Sequence, residues 1–238
     1  MHRFLIPFIA LGLLLTPPVF GFFDVFDDLQ QELTGEQSSA PLNLDDLINN
    51  LEGASGPSFS DVPPSAWFSD AVSGVASRGI VSGYKDASGN PTGIFGPGNA
   101  VTIAEILKMA YGAANKDTGT CKATVNLPQA ASHWAGQYVA CAEEDDMRMM
   151  LTQPDLNRGA TRAEVVAIIH DAFGVTIPSG RSPFYDTTGH SYDADIALAA
   201  VQGVVSGDTD SNGRPTGTFR PNDGVNRAEA AQIIFKSL

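Results

Sequence analysis

Thr161-Arg162-Ala163-Glu164, followed by the apolar run Val165 to Ile169, has two counterparts in the chain, Thr102-Ile103-Ala104-Glu105 and Asn226-Arg227-Ala228-Glu229. Each copy leads into an apolar stretch, and a unit repeated at this scale implies an assembly of equivalent helical pieces. The first and third copies align over a long distance at one offset of 124 residues, the separation of Ala104 and Ala228. Gly79-Ile80-Val81-Ser82-Gly83 becomes Gly203-Val204-Val205-Ser206-Gly207, and Gly89-Asn90-Pro91-Thr92-Gly93 becomes Gly213-Arg214-Pro215-Thr216-Gly217. The middle copy has a shorter connector, Leu151 to Gly159, with Asp146 and Met150 where Gly79 and Gly83 stand.

Ahead of each connector lies another apolar pattern. Ala71, Val72, Val75 and Ala76 recur at helical spacing, and Gly79 supplies a helix stop. Each unit therefore reads as helix, loop, helix. Two short helices bury too little apolar surface to stand alone, so the expectation is a mainly α domain in which three units share one core. The boundaries are 1–21 for a signal peptide, 22–57 for an acidic and polar linker, 58–112 for the first unit, 113–178 for a divergent second and 179–238 for the third.

The tetrad carries its own chemistry. Thr102, Thr161 or Asn226, with Glu105, Glu164 or Glu229 three residues later, is a capping box: the first side chain accepts the N3 amide and the glutamate accepts the N-cap amide. Arg at N1 has no capping role, and a cation there opposes the helix dipole. Two readings of Arg162 and Arg227 stand side by side. Beside free N-terminal amides a guanidinium makes a receptor for a carboxylate or phosphate; alternatively, it forms a salt bridge to the neighbouring unit.

Met1-His2-Arg3 precedes an apolar run from Phe4 to Leu15 and small residues near Gly21, the pattern of a secretory signal. The run falls short of the roughly 20 residues that span a bilayer, so no membrane span is expected after cleavage. Export gives meaning to Cys121 and Cys141, the only cysteines, which an oxidising compartment would join. A net charge of −13 argues against nucleic acid as a partner. Two brief apolar patterns in the linker, Val25 to Leu33 and Leu44 to Leu51, read either as decoration of a disordered tether or as amphipathic helices that dock a protein partner.

The motifs together resemble the surface-layer homology domain, a family of three tandem repeats in exported bacterial envelope proteins. The resemblance rests on Phe59-Ser60-Asp61-Val62, Trp67, Gly79 to Asp86, Phe95-Gly96-Pro97, Phe219-Arg220-Pro221-Asn222 and Arg227-Ala228-Glu229. It implies a pseudo-threefold helical domain at the cell surface whose inter-unit grooves bind cell-wall polysaccharide attached to peptidoglycan, often through pyruvate-ketal sugars. The motif arginines, Arg162 and Arg227, inherit the carboxylate contact, and Trp67, Trp134, Gly83 and Gly207 are the accompanying groove candidates. The chain departs from the family pattern at Ile103 in place of Arg, at Ser191 in the third Trp position and at Asn226 in place of Thr.

Rival readings are an envelope adaptor that uses the units for protein contacts and a calcium-stabilised surface protein. Asp208, Asp210 and Asn212 open a D-x-D-x-N-G sequence, but Phe219 stands at the twelfth position of that loop, where calcium loops carry Glu. No acid, base and nucleophile occur at recognisable spacing, so neither catalysis nor a cofactor is expected. His133, His170 and His190 read as lying at dissimilar repeat positions, and Glu143-Glu144-Asp145-Asp146 as a solvated helix end.

Overall fold

The structure is a computed structural model that describes residues 57–122 and 124–238. The proposed signal peptide, and the linker up to residue 56, lie outside the described residues. Six α-helices carry the fold, with no strands among the described residues: α1 (Ser69–Ser77), α2 (Ile103–Ala113), α3 (Gly136–Glu144), α4 (Arg162–Ala172), α5 (Asp193–Val201) and α6 (Arg227–Ser237). None of them is long and apolar enough to cross a membrane.

The helices following the three tetrads, α2, α4 and α6, all touch one another. Around them the other three pack in a definite order: α3 on α2, α5 on α4 and α1 on α6. The first helix of each unit thus lies against the second helix of the preceding unit, and the α1–α6 contact closes the cycle. Ile103, Ile106, Leu107, Val165, Ile168 and Ile234 are wholly buried in the shared core. Val72 and Val75 of α1 and Ile196 of α5 join them from outside.

Backbone hydrogen bonds repeat this cycle just ahead of the tetrads. Val101 N donates to the Val225 carbonyl at 3.0 Å, Val225 N to Ala160 at 3.1 Å, and Ala160 N to Val101 at 2.8 Å. Each of these segments would otherwise be buried with an orphan donor and acceptor, so each supplies what the next needs.

Local sequence explains how the helices begin and end. Capping boxes open α2, α4 and α6, with the N-cap side chain accepting from Glu105, Glu164 or Glu229 N and the glutamate accepting from the N-cap amide. After α1, α3 and α5 the chain reverses through a left-handed residue: Gly79 at φ 71°, Asp146 at 53° and Gly203 at 73°. The middle unit makes the same turn with an aspartate, a residue that tolerates this region better than most.

Asp61 and Asp186 pin the connectors. Asp61 accepts from Phe95 N and Gly96 N at 2.8 and 2.7 Å, and Asp186 accepts from Phe219 N and Arg220 N. The second unit is held differently. Cys121 and Cys141 form a disulfide that ties residues 113–127 to α3. The acidic run is also engaged rather than merely solvated. Glu143 accepts from Asn126 N and Leu127 N, Glu144 from Lys122 N, and Asp145 from Lys116 Nζ and Tyr111 Oη. These carboxylates fasten the segment between α2 and α3 to the end of α3, which the sequence reading missed.

Candidate functional site

The cyclic packing leaves a groove beside each of the three central helices. The Arg227 groove, about 160 Å³, is lined by the Ser82–Gly83 loop, Glu105 and Lys108 of α2, Arg227 and Trp134. The Arg162 groove, also about 160 Å³, is lined by Ser206, Glu229 and Lys236 of the third unit, with Arg162 and Trp67. Each draws on three units: an arginine from one, the loop and second helix of another, and a tryptophan from the remaining one.

The arginines are held in the same way. Arg227 Nε donates to the Phe95 carbonyl at 2.9 Å, and its guanidinium lies 4.9 Å from both the Tyr84 and Phe95 ring centroids. Arg162 Nε donates to the Phe219 carbonyl at 3.0 Å over a Phe219 ring 4.7 Å away. A cation over an aromatic face is attracted by the ring quadrupole. Each also meets the capping glutamate of the next central helix, Arg227 with Glu105 at 3.5 Å and Arg162 with Glu229 at 4.0 Å. Desolvation by burial lowers the Arg162 pKa, an effect that Glu229 opposes.

Of the two sequence readings, the salt bridge to the neighbouring unit is present, and the free-amide part of the receptor is not. The N1 amides of Ile103, Arg162 and Arg227 donate to Arg158, Asp223 and Asn99 carbonyls, and the N2 amides of Ala104, Ala163 and Ala228 to Leu156, Pro221 and Pro97. The N3 amides are capped. Helix packing consumes the donors that an anion would have used, so the charge facing each groove belongs to side chains. Lys108 and Lys236, both exposed, supply a second cation to the two grooves. The sequence reading missed them. Their positions in the apolar pattern mark only an exposed helix face.

Trp67 and Trp134 are 64% and 57% exposed, so neither is a core residue. The glycines have a packing reason. Gly83, at φ 67°, sits against the Phe59 ring and the Ile94 carbonyl, where an added Cβ would come within 2.6 and 2.7 Å. Gly207 is as tightly placed against Phe184 and the Thr218 carbonyl, at 2.5 and 2.7 Å.

The third groove, about 480 Å³, adjoins α4 and is lined in part by Arg148, Thr161, Glu164, Ser191 and Tyr192. Here the N1 residue of the preceding unit is Ile103, fully buried, and the tryptophan position is Ser191. Both departures from the repeat fall on a single groove. Glu164, deprived of an N1 arginine, is met by Arg158 at 2.6 and 2.8 Å. Burial alone would raise the Glu164 pKa, but the hydrogen bonds from Arg158 and Thr161 together with the Arg158 charge outweigh it and hold the carboxyl below its usual range.

Two further findings concern polar residues. His133 and His190 occupy equivalent positions: Nδ1 accepts from Ala135 N or Tyr192 N at 3.1 Å, and Nε2 meets Asn157 or Asn222 Oδ1 at 3.1 or 3.3 Å. They latch the start of the first helix to the connector. In the acidic loop, Asp208 accepts from Arg220 Nε and Nη2 at 2.8 and 2.9 Å, while Asp210 Oδ1 accepts from Asn212 N and Arg214 N. Asp86 makes the same turn with Ser88 N and Asn90 N. These carboxylates close the loops on themselves, and no cluster of three or more metal-ligating side chains occurs among the described residues.

Two segments, residues 58–106 and 183–231, match the sequence model of the S-layer homology domain, a family of cell-wall anchoring modules. They correspond to the first and third units, whereas α3 and α4 lie between them. No curated protein matches the chain.

Proposed function

We propose that this chain is an exported, non-enzymatic anchor of the bacterial cell envelope, built of three helix-loop-helix units in a pseudo-threefold arrangement, which grips cell-wall polysaccharide in two of its three inter-unit grooves. The observation that carries this reading is the coincidence in the Arg227 and Arg162 grooves of a fixed guanidinium, its partner glutamate, an exposed lysine and an exposed tryptophan.

The chemistry follows from that set. Two cations against one carboxylate leave each groove net positive on a chain of charge −13. Such a groove attracts an anionic saccharide locally while the rest of the surface repels polyanions. The indole face suits the C–H face of a sugar ring, and a carboxylate such as that of a pyruvate ketal suits the guanidinium. Because packing already fixes the arginine at Nε, its remaining N–H groups are oriented before ligand arrives, which reduces the entropy lost on binding. The polymer is the one attached to peptidoglycan; a protein partner would use residues 22–57.

Co-sedimentation with purified sacculi that retain their polysaccharide tests the reading. The wild-type chain is expected to pellet, Arg162→Ala and Arg227→Ala each to pellet less, and the double variant to stay soluble, while chemically stripped sacculi bind none of them. A wild-type chain that stays soluble, or that pellets equally with stripped sacculi, overturns it in favour of an adaptor that works through protein contacts.

A further inference from the structure

The third groove has lost its N1 arginine and its tryptophan together, yet it is about three times as large as the other two. A groove that had merely decayed would be free to fill with side chains or to leave charges unpaired. This one has done neither.

Its charges are internally consumed. Arg148 donates from Nε and Nη2 to Asp171 at 2.9 and 2.7 Å, and from Nη1 and Nη2 to Asp195 at 2.9 and 2.7 Å. Two carboxylates therefore bracket one guanidinium, and His170 Nδ1 lies 3.2 Å from Asp195. Arg158 and Glu164 neutralise each other. Among the described residues that line this groove no cation is left unpaired, and the carboxylate of Glu164 stands in the lining.

What remains is uncharged. The uncharged polar residues Ser191, Tyr192 and Asn222 line the groove, Ser191 and Asn222 being exposed and Asn222 Oδ1 meeting His190 Nε2 at 3.3 Å. Of the apolar residues in the lining, Leu151 is 84% exposed and Met149 only 2%. Neutral donors and acceptors beside apolar surface suit a ligand that is itself hydroxylated and uncharged, with C–H faces to lay against aliphatic side chains.

From this we infer that the third groove is a subsite for an uncharged saccharide segment, chemically distinct from the two charged grooves. It rests on the anchor reading in supposing a sugar polymer as partner. One chain then holds a polysaccharide at charged and neutral units together, so that weak single contacts combine through effective concentration. Neutral sugar is held by Ser191, Tyr192 and Asn222, and anionic sugar by Arg162 and Arg227.

The test uses the intact chain and two kinds of probe: a panel of neutral tetrasaccharides (chitotetraose, maltotetraose, cellotetraose) and methyl 4,6-O-carboxyethylidene-glucoside. Both tryptophans belong to the charged grooves, so their fluorescence reads the anionic probe, while calorimetry reads the neutral ones. The expected result is saturable heat from at least one neutral tetrasaccharide, weakened at least 5-fold in the Ser191→Ala/Tyr192→Phe variant, with the fluorescence response to the anionic probe unchanged. If no neutral tetrasaccharide binds, or the double variant binds it equally well, the inference is overturned even where the anionic probe binds normally. If the anionic probe leaves the fluorescence unchanged, the charged-groove reading fails instead. Because the double variant removes only two hydroxyls, a melting temperature equal to wild type establishes that it is folded.

Discussion

Arg158 donates to both oxygens of Glu164, at 2.6 and 2.8 Å, and so does within one unit what Arg227 does for Glu105 and Arg162 for Glu229 between units. The capping glutamate of every central helix thus keeps a guanidinium. Only its source changes, from the N1 position of the preceding unit to the connector of the same one. That substitution of partners leaves Ile103 free to be apolar without orphaning a carboxylate.

Returning both lost residues should recreate a charged groove. The variant Ile103→Arg/Arg158→Ala/Ser191→Trp is expected to bind three equivalents of the carboxylate-bearing glucoside per chain where the wild type binds two, as counted by calorimetry. A count that stays at two would mean that more than these positions separates the grooves.

Arg227→Ala removes the donor to the Phe95 carbonyl and the partner of Glu105. Leaving such a buried group unpaired costs about 1–3 kcal/mol. For a domain of this size that lowers the melting temperature by about 2–4 °C per kcal/mol, measurable by calorimetry. Arg162, more exposed, should lose less stability for the same substitution. Equal losses would contradict the ordering by burial.

Lys108 stands three residues after Glu105, and Lys236 seven after Glu229, which places the second cation about 6 Å further along the helix in the Arg162 groove. Each substitution, Lys108→Gln or Lys236→Gln, should weaken the anionic probe about 2- to 5-fold in its own groove only, consistent with exposed charge contacts of up to about 1 kcal/mol. A Trp67→Phe background leaves Trp134 to report on the Arg227 groove, and Trp134→Phe does the converse. Cross-talk between the two signals would count against separate sites.

Asp195 is buried, which by itself raises a carboxyl pKa, but hydrogen bonds from His170 and Arg148 outweigh the burial and hold it below the usual range. Its folded pKa is therefore below its unfolded value of about 3.9. The stability it contributes is present above about pH 4 and is lost as pH falls through the folded pKa. Thermal melts across this range should show an acid limb that Asp195→Asn makes shallower while lowering stability at neutral pH. An unchanged limb would assign acid sensitivity to other carboxylates.

Replacing Cys121 and Cys141 by Ser should cost about 3 kcal/mol, the chain-entropy value for a loop of this order. Hydrogen exchange should quicken most in residues 113–127 and α3, and least in α5. Uniform quickening would mean that the bond supports the whole domain rather than the segment between α2 and α3.

The helices were legible because their signals are local. The tetrads mark three starts, and the apolar spacing of Val72 and Val75 or Ile233 and Ile234 follows directly from helix geometry. Grooves could not be read so simply. Ile103 and Ser191 look like unrelated departures in a linear alignment, and only the cyclic packing order brings them to one place. The N-terminal amides look available in the sequence because their acceptors, such as the carbonyls of Pro97 and Pro221, belong to other units. Trp134 was legible as a residue but not as an exposed one, since a tryptophan before a helix suits a core as well as a rim.

The ring of amides and carbonyls through Val101, Ala160 and Val225 has a consequence in time. No two of these segments satisfy each other fully, and α1 packs chiefly on α6, more than a hundred residues downstream. Such separation places the most distant closure late, after its loop entropy has been spent. A nascent chain that has not yet released Val225 therefore lacks its keystone. The last helix also brings Arg227 to one charged groove and Glu229 with Lys236 to the other, so neither is complete before it arrives.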